Sequence, residues 1–307
     1  MVRTRRFRTL YLAFALLVPA TMPAHAVDRP EASADVLNEA MAAIAKGDFA
    51  GARQALEPFA NSGDSDAQNL LGLLYLRGEG VARNPSEAAR LFHVSADHGN
   101  KRSQFQLGRL LLEGVGVERD EVEAFRYFEL SARQGVAPAQ LALGSLLNPG
   151  TFEGNPGLPG VLESVDGPPL AGGQAQKIPK DAIMSAYWYR LAADQGNPDA
   201  QFSLAIAYQE GRGVPLNPIT AAGLYRLAAE QGHAGAANNL GLILASGQGA
   251  DRNLLKAYMW LVIAASSGNV KATDNRSSMS ARLTSPQRGQ AEQLAAQCIE
   301  TRFQTCD

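Results

Sequence analysis

An internal period of 36 residues constrains this chain more than any other feature. Gly72, Gly108 and Gly144 stand 36 residues apart, and Ala205 and Gly241 resume the spacing after a gap of 61. The gap is one period plus an insertion of about 25 residues. Leu71, Leu107, Leu143, Leu204 and Leu240 precede these markers, and Gly78, Gly114, Gly150, Gly211 and Gly247 follow six residues after them. Sixteen residues past the marker come Ala88, Ala124, Ala221 and Ala257, with Ser185 at the equivalent place once the insertion is allowed for, and each unit closes on Gly99, Gly135, Gly196, Gly232 or Gly268. A unit this short cannot bury an apolar face by itself. It must stack on its neighbours, which predicts a quasi-one-dimensional array.

Each unit reads as two helices. In the first, Leu70, Leu71, Leu74 and Tyr75 form one stripe of a helix over 67–77, and Gly78 supplies the left-handed residue that ends it. The second opens on a cap signal, Asn84-Pro85-Ser86-Glu87, repeated as Asp120-Glu121-Val122-Glu123 and as Asn217-Pro218. Its buried position is Phe92, Phe128, Tyr189, Tyr225 or Leu261. The marker glycine costs roughly 1 kcal/mol of helix propensity against alanine, so close approach of the partner helix must offset it.

The chain divides into residues 1–26, a divergent helix pair over 27–66, five repeats with a following helix over 67–282, and a capping helix with a tail over 283–307. The repeats run 67–102, 103–138, 139–199, 200–235 and 236–271. The third carries an insertion at about 149–179, and residues 148–180 hold six Pro and seven Gly. That segment is either a tolerated surface insertion between two helices of one unit or a loop that contacts a partner.

Residues 1–26 have the three-part plan of a secretory signal. Arg3, Arg5, Arg6 and Arg8 precede an apolar run from Leu10 to Val18, and Ala24-His25-Ala26 supplies the small residues for cleavage after Ala26. The run is shorter than the ~20 residues a spanning helix needs. We therefore expect a periplasmic or secreted protein with no membrane span after cleavage. Ordinary secretion fits better than the twin-arginine route. Removal of this segment leaves 24 Lys and Arg against 30 Asp and Glu, a formal charge of −6. That balance argues against a nucleic-acid partner, which requires a basic face.

Catalytic chemistry is sparse. Beyond the leader the histidines are His93, His98 and His233. His98 takes the slot held by Gln134, Gln195 and Gln231 in other units, which marks it as a turn element. Neither Ser-x-x-Lys nor a Gly-x-x-x-x-Gly-Lys phosphate loop occurs. No metal site and no cofactor are expected. The two cysteines of an exported chain, Cys298 and Cys306, predict one disulfide. Eight residues of unbroken helix would hold the pair about 12 Å apart, so the helix must end near Glu300 and the tail must fold back.

The stretch Ala67-Gln68-Asn69-Leu70-Leu71-Gly72-Leu73-Leu74-Tyr75 with Gly78-Glu79-Gly80-Val81 resembles the Sel-one-like repeat family, relatives of the tetratricopeptide repeats. It recurs as Leu107-Gly108 with Gly114-Val115-Gly116-Val117, and as Ala200-Gln201 with Gly211-Arg212-Gly213-Val214. The resemblance spans about residues 60–285. It implies an all-α, right-handed superhelical α-solenoid and an adaptor role, here toward a protein or peptide in the bacterial envelope. Exported relatives described as β-lactamase-like supply the alternative of a cell-wall-related hydrolase. A third possibility, a carbohydrate-binding module, rests on Tyr187, Trp188, Tyr189 and Trp260. In such arrays the first helices of the units line the groove. Spacing then nominates Asn69, Arg77, Phe105, Arg109, Phe202, Gln209, Asn238 and Asn239 as partner-binding residues, the competing role for each being packing between repeats.

Overall fold

A computed structural model describes residues 31–150, 178, 180–304 and 306, and over that span it is all helical. Residues 1–30, with the expected secretory signal, and most of the Pro- and Gly-rich insertion lie outside the described residues. A leading pair, α1 (Glu31–Ala45) and α2 (Phe49–Asn61), precedes six further pairs. Their first helices are α3 (Ser65–Arg77), α5 (Lys101–Glu113), α7 (Ala137–Leu147), α9 (Pro198–Glu210), α11 (Ala234–Ser246) and α13 (Val270–Ser280). Their second helices are α4 (Pro85–Asp97), α6 (Glu121–Arg133), α8 (Ala182–Asp194), α10 (Pro218–Ala229), α12 (Leu254–Ser266) and α14 (Ser285–Glu300). Through α13 each helix packs chiefly on its neighbours in the chain; α14 packs on α12 rather than on α13, and α11 also meets α13. The result is a right-handed superhelical α-solenoid whose core continues from unit to unit.

Local chemistry sets the boundaries. Asn84 Oδ1 accepts from Glu87 N at 3.1 Å, with Pro85 at the first helical position. Asp120 and Asn217 cap α6 and α10 in the same way. Gly78 closes α3 at φ +75°, a conformation open to glycine at little cost. The connector within each unit is then tied back: Asn84 N donates to Tyr75 O at 2.9 Å, Asp120 N to Leu111 O at 3.0 Å and Asn217 N to Tyr208 O at 2.9 Å. Asp181 N makes the same bond to Leu147 O at 2.8 Å. The third unit therefore keeps its frame although the insertion separates those two residues.

The marker glycine is explained by its partner helix. A β-carbon at Gly72 would stand 2.8 Å from the Phe92 ring, and one at Gly108 would stand 2.9 Å from Phe128 and 3.2 Å from Ala124 O. Both aromatic side chains are fully buried. The glycine and the aromatic thus form one packing unit, which is why the two positions recur together. In the fourth unit Ala205 stands buried at the marker position and Tyr225 at the aromatic one.

Candidate functional site

Buried amides join consecutive units. Gln104 Nε2 donates to Ala96 O at 3.2 Å, at the end of the previous unit's second helix, while its Oε1 accepts from Gln134 Nε2 at 2.7 Å. Gln140 repeats this with Ala132 O at 3.1 Å and Gln195 at 2.8 Å. Gln201 does so with Ala193 O at 3.4 Å and Gln231 at 2.8 Å. Gln68 donates to Ala60 O at 3.1 Å, but its Oε1 has no hydrogen-bond partner. His98 occupies the place from which Gln134, Gln195 and Gln231 donate. These rungs escaped the sequence reading, although two glutamines at fixed registers in three units were a visible signal.

The nominated groove residues separate into three groups. Asn69, Phe202 and Asn238 are only 4, 5 and 6% exposed, which corrects the expectation that they face the groove. Their register lies between the core stripe and the neighbouring unit. Asn69 Nδ2 donates to Ser103 Oγ at 2.8 Å, and Ser103 Oγ donates to Ser95 Oγ at 2.7 Å. Phe202 stacks on His233 at 4.4 Å and leans on Tyr225 at 5.9 Å. A second group is occupied locally. Arg77 is exposed and faces Glu79 at 3.7 Å, Arg109 faces Glu113 at 3.5 Å, and half-buried Phe105 lies 5.9 Å from Phe128.

Gln209 and Asn239 form the third group, and the fold brings them together in a cleft of about 470 Å³ formed by α9, α11, α13 and the turn after α11. Leu242, Ile243 and Met279 give the cleft its apolar part; Asn275, Ser278 and Arg282 add polar atoms from α13 and the turn that follows it. Asn275 and Arg282 were missed because α13 follows the last recognisable repeat. Continuing the period from Asn239 by 36 residues reaches Asn275 and would have found it.

A hydrogen-bonded chain runs beneath the cleft. Asn275 Nδ2 donates to Asn238 Oδ1 at 2.8 Å, and Asn238 Nδ2 donates to Asn239 Oδ1 at 3.1 Å. Nearby, the Tyr225 hydroxyl donates to Gln209 Oε1 at 2.6 Å. Burial pushes the Tyr225 phenol well above its ordinary value, so it stays a neutral donor.

The histidines take structural places. His93 Nδ1 faces Asp97 at 3.1 Å on the surface. His233 Nδ1 accepts from Ala236 N at 2.9 Å, capping α11 where asparagine or aspartate caps most of the other first helices, and its Nε2 faces Asp199 at 3.4 Å. With Nδ1 committed to a backbone amide, this imidazole lacks the arrangement of a base beside a nucleophile. Trp188, Tyr189 and Trp260 are buried, leaving only Tyr187 of that aromatic group exposed. Among the described residues no cluster suited to a metal ion occurs, and no helix is long and apolar enough to cross a membrane. Cys298 and Cys306 form a disulfide with Cα atoms 4.8 Å apart, the helix ending at Glu300.

Comparison with known proteins places this architecture. The structure is similar to that of a Sel1 repeat protein from Oxalobacter formigenes, at 26% identity over 79% of this chain and 87% of the other, with a TM-score of 0.64. It also matches a protective antigen of uropathogenic Escherichia coli strains that displays an SLR fold, at 28% identity over 82% of this chain and 64% of the other, with a TM-score of 0.39. The chain matches no curated protein. The Sel1 repeat model matches residues 65–100, 101–136, 170–197, 198–233 and 234–269, more than half of the sequence. Its repeated glycine–aromatic pairs, capped helices and stacked units are those of that family: the chain belongs to the Sel1 repeat proteins, solenoids that serve in general as protein-interaction scaffolds.

Proposed function

We propose that this protein is an exported interaction module that binds a protein or peptide partner in the bacterial envelope, using the cleft of α9, α11 and α13. The observation that carries the reading is the cleft itself. Three successive first helices converge on it with carboxamides, an arginine and apolar side chains, the mixture a peptide site requires. Export is supported by the basic, apolar and small-residue order of residues 1–26 and by a disulfide suited to an oxidising compartment. Among the described residues lining the cleft there is no nucleophile–base pair and no carboxylate, so nothing there supports a hydrolase.

The test is affinity capture from an envelope fraction with the chain lacking residues 1–26, in parallel with Asn239→Arg. Asn239 is half-buried at the cleft wall, so a bulky cation there should block entry while the solenoid keeps its helical signal. A partner retained by the parent and lost from the variant is expected. Identical capture by both, or turnover of a peptidoglycan or β-lactam substrate by the purified chain, would overturn the assignment.

A further inference from the structure

The hydrogen bonding beneath the cleft has a direction, and that direction selects a ligand. One run leads from the Asn275 amide through Asn238 to Asn239, and a second from the Tyr225 hydroxyl to Gln209 Oε1. Each link fixes which end of a carboxamide is turned inward. Two groups remain over at the cleft, the Gln209 Nε2 donor and the Asn275 Oδ1 acceptor, and neither has a partner among the described residues. A peptide group offers the complementary pair, a carbonyl acceptor and an N–H donor. Gln209 and Asn275 sit on α9 and α13 with α11 between them. At roughly 8–10 Å per helix spacing the two groups are about 16–20 Å apart, about five or six residues of extended chain. The apolar part of the cleft, from Leu242 and Met279, suits a side chain between those two main-chain contacts.

Charge adds a second constraint. Among the described residues, Arg282 is the only charged one lining the cleft. It is exposed and pairs with no carboxylate among the described residues. Its counterpart in the first unit, Arg77, is paired with Glu79; the corresponding place after Arg282 is Thr284. A neutral glycan would leave this guanidinium without a partner and would find no aromatic ring to stack on, since the lining residues include none.

We propose that the cleft binds an extended peptide segment through its main chain, with Gln209 donating to a carbonyl, Asn275 accepting from an N–H, and Arg282 pairing with an acidic side chain of the segment. The inference rests on the interaction role proposed above and names the chemistry recognised at the same cleft.

A displayed library of linear twelve-residue peptides, panned on the chain lacking residues 1–26, tests it. Enriched peptides should share an Asp or Glu. Their binding should fall about tenfold or more when one backbone nitrogen is methylated or when Asn275→Leu is introduced. Arg282→Glu should reverse the enrichment from acidic to basic peptides, a change that a merely unfolded variant cannot produce. Enrichment without acidic residues, or binding indifferent to Arg282→Glu, would overturn the proposal, as would displacement by a neutral glycan chain. Peptides sensitive to Arg109→Glu instead would move binding elsewhere on the array and leave the interaction role standing. No enriched peptide, with a captured envelope partner still lost in Asn239→Arg, would sink peptide recognition alone. Failure of both experiments would sink both readings.

Discussion

The middle of the solenoid and its C-terminal end use the same side-chain chemistry for opposite purposes. From the second unit to the fourth, Gln104, Gln140 and Gln201 sit at one register, each holding a carbonyl of the preceding unit and a glutamine of its own. In the fifth unit that pair becomes Ala237 and Ser267, and the carboxamides move one and two residues on, to Asn238 and Asn239. There buried Asn238 links to Asn275, and Asn239 borders a cleft. An amide that both donates and accepts can stitch units when sealed, because its desolvation is offset bond for bond. When the neighbouring unit is spaced to leave a cleft, the same group is left with capacity for a partner. The first unit shows the stitch half made, with His98 in the glutamine slot and Gln68 Oε1 unpaired.

The comparison breaks most easily at the packing beneath it. Leu107 is fully enclosed, and Leu107→Ala should lower stability by about 2–5 kcal/mol in urea unfolding through the cavity it leaves. A loss below about half a kcal/mol would show that the first helices do not pack as described. The C-terminal end depends instead on a covalent closure. Cys306→Ser should cost about 2–3 kcal/mol by loop entropy, seen as preferential loss of hydrogen-exchange protection in α13 and α14. Equal loss along the whole array would mean that the end is not a separate region.

Alkaline unfolding sharpens the contrast. Tyr225 is pushed above its ordinary value of 10.0 mainly by burial, and buried Tyr189 is shifted the same way. Their contribution is complete below about pH 10 and declines as pH rises from there toward the raised folded-state values, because only the unfolded chain ionises readily. Each group should remove about 1.4 kcal/mol per pH unit in that window. Tyr225→Phe should reduce the slope of stability against pH above 10. An unchanged slope would show that the phenol is not held neutral by its surroundings.

What could be read from the residues divides along the same line. The period, the marker glycine, the buried aromatic position and the caps were visible because each recurs in at least three units. Gln209 and Asn239 were found at the cleft because helical spacing alone turns them off the core stripe. Asn69, Phe202 and Asn238 were misplaced because spacing within one helix does not reveal what the next unit covers. Arg282 was missed for a related reason: its register is held by Ser246 and Glu210 in the units before it, so no single-residue pattern leads to it. A repeat signal reports contacts made in every unit, and a binding site is made from departures from the repeat.

The smallest expected effect tests the stitching idea most directly. Gln68 is 5% exposed, its nitrogen is bonded to Ala60 O, and its oxygen lacks a donor. His98→Gln restores the residue that donates to this oxygen in three other units, without adding a new buried group. It should raise stability by about 0.5–1.5 kcal/mol, the net worth of one hydrogen bond. Gln68→Leu in the parent should then cost less than Gln104→Leu, because the first rung has one bond to lose and the second has two. In the His98→Gln background the two costs should converge. If they differ as much as before, the glutamine register reflects shape alone, and the amides of the middle units contribute no more to stacking than the alanine of the fifth.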